Sequence, residues 1–151
     1  MKSIIDRLKK YEYYCDEALL SEQFKSLMSE ANSQVDEITP QDLDLQDSSL
    51  ILLDVREPEE FASGHIPAQK ILTIPRGKLE FMAIENIAKP YGQNAPIVTY
   101  CLKGPRGTLA AYQLKKMGFG NILNLKGGIR GWLESGLPIH NYLGTLILKK
   151  D

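Results

Sequence analysis

One stretch constrains the fold of this chain more than any other: Ala95-Pro-Ile-Val-Thr-Tyr-Cys-Leu-Lys-Gly-Pro-Arg-Gly107. Ile97, Val98 and Tyr100 are β-branched or aromatic, which predicts a core strand. A short Gly/Pro loop follows, then a helix from about Gly107 to Met117. Its apolar residues Leu109, Leu114 and Met117 recur near helical spacing, and Gly118 stops it. Cys101 therefore stands at a strand's carboxyl end, facing the amino end of a helix. In open α/β sheets that is where ligands bind.

Free backbone N–H groups and the helix dipole favour negative charge at such a position. A thiol placed there is expected to have a lowered pKa and to exist partly as thiolate. Lys103 and Arg106 add positive charge in the same loop. The competing reading is an inert structural cysteine, since free cysteines are among the most buried residues.

The remaining segments alternate. Residues 3 to 31 read as helix, with Ser3 and Asp6 in the form of a capping box and a break near Ser21. Its apolar stripe includes Leu8, Tyr11, Cys15, Phe24, Leu27 and Ala31; it either packs on the domain or offers a partner or dimer surface. Val35 to Ile38 is a short edge strand, and Thr39 with Pro40 opens a short helix. Ser49 to Asp54 is an apolar run, hence a buried parallel strand. Glu57 to Ala62 is a helix ended by Gly64, Ile71 to Ile74 a strand, and Lys78 to Ile87 a helix ending before Lys89-Pro90. Asn121 to Leu125 is a strand, Gly127-Gly128 a turn, and Ile129 to Ser135 a helix. Strands alternating with helices imply an α/β parallel sheet of about five strands with helices on both faces.

Three motifs in order give a specific resemblance. Tyr100-Cys-Leu-Lys-Gly-Pro-Arg-Gly107 resembles the active-site loop of rhodanese-type sulfurtransferases. Leu52-Leu-Asp-Val-Arg-Glu-Pro-Glu-Glu-Phe61 with Gly64-His-Ile66 resembles their amino-terminal signature. Asn124-Leu-Lys-Gly-Gly-Ile-Arg-Gly-Trp132 resembles their carboxyl-terminal one. The resemblance covers roughly residues 35 to 139. It implies a helical extension over 1–34, a rhodanese-like domain over 35–139 and a tail over 140–151.

It also implies sulfur transfer through a Cys101 persulfide, from a donor such as thiosulfate or a persulfide to a thiol or protein-cysteine acceptor. Leu102, Lys103, Gly104, Arg106 and Gly107 would hold the donor. Asp54 and Arg56 belong to a signature that supports the site, though a structural ion pair is the favoured role. Arg76, after a strand end, is a candidate for the pocket mouth. His65 reads as fold support. No metal or organic cofactor is needed. A non-turnover sulfur carrier or interaction module is the alternative.

Two departures from the family pattern bear on the donor. Leu102 stands where many members have arginine, and Pro105 has no N–H; both predict weak use of thiosulfate. Phosphatases and arsenate reductases on this scaffold need a longer loop than Leu102-Lys-Gly-Pro105 provides.

Among 151 residues the net charge is −1, which argues against a general nucleic-acid binder. No apolar run approaches a membrane span. Two cysteines, Cys15 and Cys101, make no disulfide framework, so a reducing cytoplasm is expected. His65 and His140 stand alone, without zinc spacing. A homodimer is left open.

Overall fold

The computed structural model describes residues 3–15 and 21–148, with side chains described for 3–12 and 21–148. Five parallel strands form one sheet: β1 (Glu37–Ile38), β2 (Ile51–Asp54), β3 (Ile71–Thr73), β4 (Ile97–Tyr100) and β5 (Ile122–Leu125), in the order β1-β5-β4-β2-β3. β4 is central, with Leu53 beside Thr99 and Asp54 beside Tyr100 across the β2 pairing. Every residue of β2 and β4 is buried. A strand buried at each successive position must be covered on both faces, which is why these runs lack the alternation of a half-exposed strand. Each fully buried Leu or Ile there contributes about 1.5–3 kcal/mol.

Seven α-helical segments accompany the sheet among the described residues: α1 (Ile4–Leu8), α2 (Glu22–Gln34), α3 (Pro58–Ser63), α4 (Leu79–Ala83), α5 (Lys89–Tyr91), α6 (Pro105–Lys116) and α7 (Gly128–Glu134). Several starts are set by local chemistry. The Ser3 hydroxyl accepts from the Asp6 N–H, and the Ser21 hydroxyl from the Phe24 N–H. Thr39 caps a single 3-10 turn, Pro40–Asp42, with Pro40 at its start.

Three expectations change. The break expected near Ser21 is there, with α2 beginning after it, but α1 ends early and passes into a 3-10 segment, Lys9–Cys15. Cys15, placed on the apolar stripe, lies outside the described side chains. The helix from Lys78 does not stop before Pro90. Ile84–Ala88 form a π turn, and α5 carries on through Pro90 to Gly92, whose φ of 87° ends it. A proline ring clashes with the carbonyl four residues back, and the wider turn moves that carbonyl aside. Finally, α6 starts at Pro105, two residues before the expected Gly107. Proline suits that first position because its missing N–H would have had no helical partner.

The described segments before β1 and after α7 join the same core. Leu8, Tyr11 and Val35 are buried in one cluster with Ile51, Val98 and Leu114, and Leu146 and Leu148 pack against it. α2 is tied to α6 by Tyr112 Oη donating to Glu30 (2.8 Å) and Lys115 Nζ donating to the Gln34 carbonyl (2.6 Å). The stripe is nonetheless only partly covered, since Phe24 and Leu27 are exposed. The tail forms an antiparallel hairpin of β6 (Ile139–Asn141) and β7 (Gly144–Leu146). It is docked by paired backbone bonds between His65 and His140, both 2.8 Å. None of the described helices is long and apolar enough to cross a membrane.

Candidate active site

Cys101 directly follows β4, and α6 begins four residues later. The loop between them curls back on the sulfur: the Gly104 N–H donates to Cys101 Sγ at 3.1 Å. Gly104 makes that possible with a φ of 132°, a conformation other residues rarely adopt.

A buried polar network fixes the loop from beneath. Thr99 Oγ1 donates to the Gly107 carbonyl (2.9 Å) and lies 3.0 Å from Asn124 Oδ1. Asn124 Nδ2 donates to Thr108 Oγ1 (3.1 Å) and to the Gly104 carbonyl (3.3 Å). Gly107 packs so closely that a β-carbon there would collide with Asn124 Oδ1. α7 holds the other side: the Ile129 and Arg130 N–H groups donate to the Cys101 and Leu102 carbonyls at 2.9 and 3.0 Å. Gly128 sits against those same two carbonyls, leaving no room for a side chain. The Gly127-Gly128 pair is thus a requirement of the backbone.

The two loop cations are both engaged by carboxylates from outside the loop. Arg106 forms a two-pronged pair with Glu60, at 2.7 and 3.0 Å. Glu60 is fully buried and also accepts from the Glu57 N–H at 2.9 Å, within a capping box that starts α3. Lys103 lies 3.6 Å from Glu12, whose same oxygen is 2.9 Å from Arg130 Nη1. Leu102 is 1% exposed and belongs to the core. Its side chain gains more from the core than from the loop mouth, which leaves its backbone as the part of Leu102 that lines the loop.

Asp54 and Arg56 are both 0% exposed and joined by three side-chain contacts of 2.7–3.1 Å; Arg56 Nη2 also donates to the Gly64 carbonyl at 2.7 Å. Burial works to lower the Arg56 pKa, but the Asp54 charge and hydrogen bonds outweigh it and raise it. The guanidinium lies 5.5 Å from the Tyr100 ring, which gives it a favourable aromatic face. Tyr100 in turn accepts the Ile66 N–H, and its burial pushes the phenol well up. This pair therefore braces the residue that precedes Cys101, as a structural ion pair. Arg76 pairs with Glu80 at 3.2 Å, and its N–H donates to the Val55 carbonyl. Its guanidinium is thus engaged along its own helical segment. Trp132 is 2% exposed and donates to the Pro138 carbonyl, a core role.

Residues 39–135 match the rhodanese-like domain family. The chain belongs to that family. A Schizosaccharomyces pombe protein named as a candidate mitochondrial thiosulfate sulfurtransferase is 40% identical over 96 residues, covering 58% of this chain and 64% of the relative. A Bacillus subtilis protein named as a candidate sulfur carrier is 40% identical over 86 residues, covering 57% of this chain and 43% of the relative. This rhodanese-like chain thus spans less than two thirds of the length of either. Among solved structures, the polysulfide-sulfur transferase homodimer of Wolinella succinogenes superposes with a TM-score of 0.66 at 31% identity, covering 79% of this chain and 88% of that one.

Sequence reasoning missed Glu60, Glu12, Arg130 and the Thr99–Asn124 pair. Glu60, Thr99, Asn124 and Arg130 all lie inside the motif stretches, but the partner that each meets in the fold is distant in sequence and carries no local signal.

Proposed function

We propose that this chain is a sulfurtransferase in which Cys101 carries a sulfane sulfur from donor to acceptor as a persulfide. The observation that supports it best is the Gly104 N–H aimed at Cys101 Sγ between the end of β4 and the start of α6. A backbone donor at that place stabilises thiolate and, after loading, the persulfide anion. The Cys101 thiolate attacks the outer sulfur of thiosulfate. A new S–S bond forms, the old one breaks, and sulfite leaves with the bonding pair. A thiol, a protein cysteine or cyanide then attacks the outer sulfur of the persulfide and regenerates the thiolate. This is covalent catalysis of ping-pong order. The donor is held by backbone N–H groups of the loop, with Lys103 and Arg106 acting from within their ion pairs.

A second reading, a non-turnover sulfur carrier or interaction module, is favoured by one observation: Phe24 and Leu27 on the amino-terminal stripe are exposed, as a surface for a protein partner would be. The two readings separate on turnover. Purified protein is mixed with thiosulfate and cyanide, and thiocyanate is followed with time. Sustained formation with parallel double-reciprocal lines, abolished in Cys101→Ser, supports the enzyme. A single stoichiometric burst supports the carrier, and thiocyanate formation that survives Cys101→Ser overturns both.

A further inference from the structure

The amino-terminal segment does more than pack on the domain. It brings a carboxylate to the Cys101 loop. Glu12 Oε1 stands 3.6 Å from Lys103 Nζ and 2.9 Å from Arg130 Nη1, joining the extension to the loop and to α7 through one oxygen. Glu12 is 38% exposed, so it is anchored at the rim rather than in the core. The segment is held there by Leu8 and Tyr11, both buried. Since Arg106 is already paired with Glu60, neither of the two loop cations stands without a carboxylate beside it.

The geometry points to Glu12 as the residue that sets this chain's selectivity for donor charge. It rests on the sulfur-transfer reading above. An anionic donor approaching Cys101 meets the Glu12 charge beside Lys103 and Arg130, and that charge offsets part of their attraction. The penalty is Coulombic and scales with the donor's charge. It is largest for a dianion, smaller for a monoanion and absent for a neutral donor. Glu12 touches no reacting atom; it acts through Lys103 and through the field at the loop. This account replaces the Leu102 side chain as a reason for weak use of thiosulfate.

Two donors that carry the same outer sulfur on different charges provide the test. Thiosulfate is a dianion and gives sulfite. Methanethiosulfonate is a monoanion and gives methanesulfinate. In each case Cys–S⁻ takes the outer sulfur and the leaving group keeps the bonding pair. Second-order rate constants for a single loading are measured by intact mass in the unmodified chain, in Glu12→Gln and in Glu12→Asp.

At low salt, Glu12→Gln is expected to speed loading about threefold from the monoanion and about tenfold from the dianion, roughly the square, as charge scaling requires. The gap should narrow in high salt. Glu12→Asp should keep the unmodified chain's donor ratio within about twofold, because it retains the charge. A merely structural role would shift both donors alike. Equal changes for the two donors, or no change for either, would overturn the role of Glu12 and leave sulfur transfer standing. Failure of the unmodified chain to load from either donor would overturn the sulfur-transfer reading, and this inference with it.

Discussion

Replacing Glu60 by alanine removes the residue that joins α3 to the Cys101 loop. Two bonds to Arg106 (2.7 and 3.0 Å) and one from the Glu57 N–H (2.9 Å) are lost together. The Arg106 side chain, 13% exposed, is left beside an apolar gap. Breaking a fully buried ion pair from one side costs about 3–5 kcal/mol. Arg106 keeps some contact with water, so a loss of about 2–4 kcal/mol is expected. For a chain of this size that lowers Tm by roughly 5–15 °C. Urea unfolding monitored by Trp132 fluorescence and a thermal melt would report it. Glu60→Gln keeps acceptor oxygen for the cap and for one Arg106 bond, and should lose about half as much. The pair Glu60→Leu with Arg106→Met should recover much of the loss, because an apolar pair needs no desolvation of charge. A Glu60→Ala loss below about 0.5 kcal/mol would refute the reasoning, since it would place Glu60 among ordinary surface positions.

Gly107→Ala should destabilise the loop by about 1–3 kcal/mol, because the new methyl meets Asn124 Oδ1; a melt unchanged from the parent chain would show that Asn124 can turn aside. Leu102→Arg should cost more than about 3 kcal/mol, since it buries a charge in the core; a stable variant with stronger thiosulfate binding would restore Leu102 to the donor site. His65 is stacked 4.3 Å from the Phe61 ring, and burial lowers its pKa below the ordinary 6.5. The folded chain therefore takes up a proton less readily than the unfolded one. Its contribution to stability is complete above pH 6.5 and is lost as pH falls toward the lowered value. Tm should fall across that window, and His65→Asn should flatten the fall; an identical pH profile in the variant would contradict it.

What could be read from the sequence was whatever is contiguous. β4, the loop and α6 lie in one unbroken run, and periodicity with glycine and proline placement sufficed to find them. The same holds for β2, whose burial at every position shows as an apolar run. What was not legible is pairing between distant segments. Arg106 reads as a loop cation available to a donor until Glu60, 46 residues upstream, is placed against it. Arg130 and Glu12 are 118 residues apart, and no periodicity links them. Leu102 misleads for a related reason: by position it belongs to the loop, but its side chain turns to the core. The π turn ahead of Pro90 was also hidden, because a proline signals a break and says nothing of how a helix can widen past it.

The central claim is that Cys101 is the residue that carries sulfur. The most direct measurement is intact mass after brief exposure to a sulfane donor, followed by peptide mapping under non-reducing conditions. The account predicts an added mass of one sulfur atom on the peptide containing Cys101, lost on treatment with cyanide. It should be absent in Cys101→Ser and retained in Cys15→Ser. An adduct that maps to Cys15, or that persists in Cys101→Ser, would contradict it.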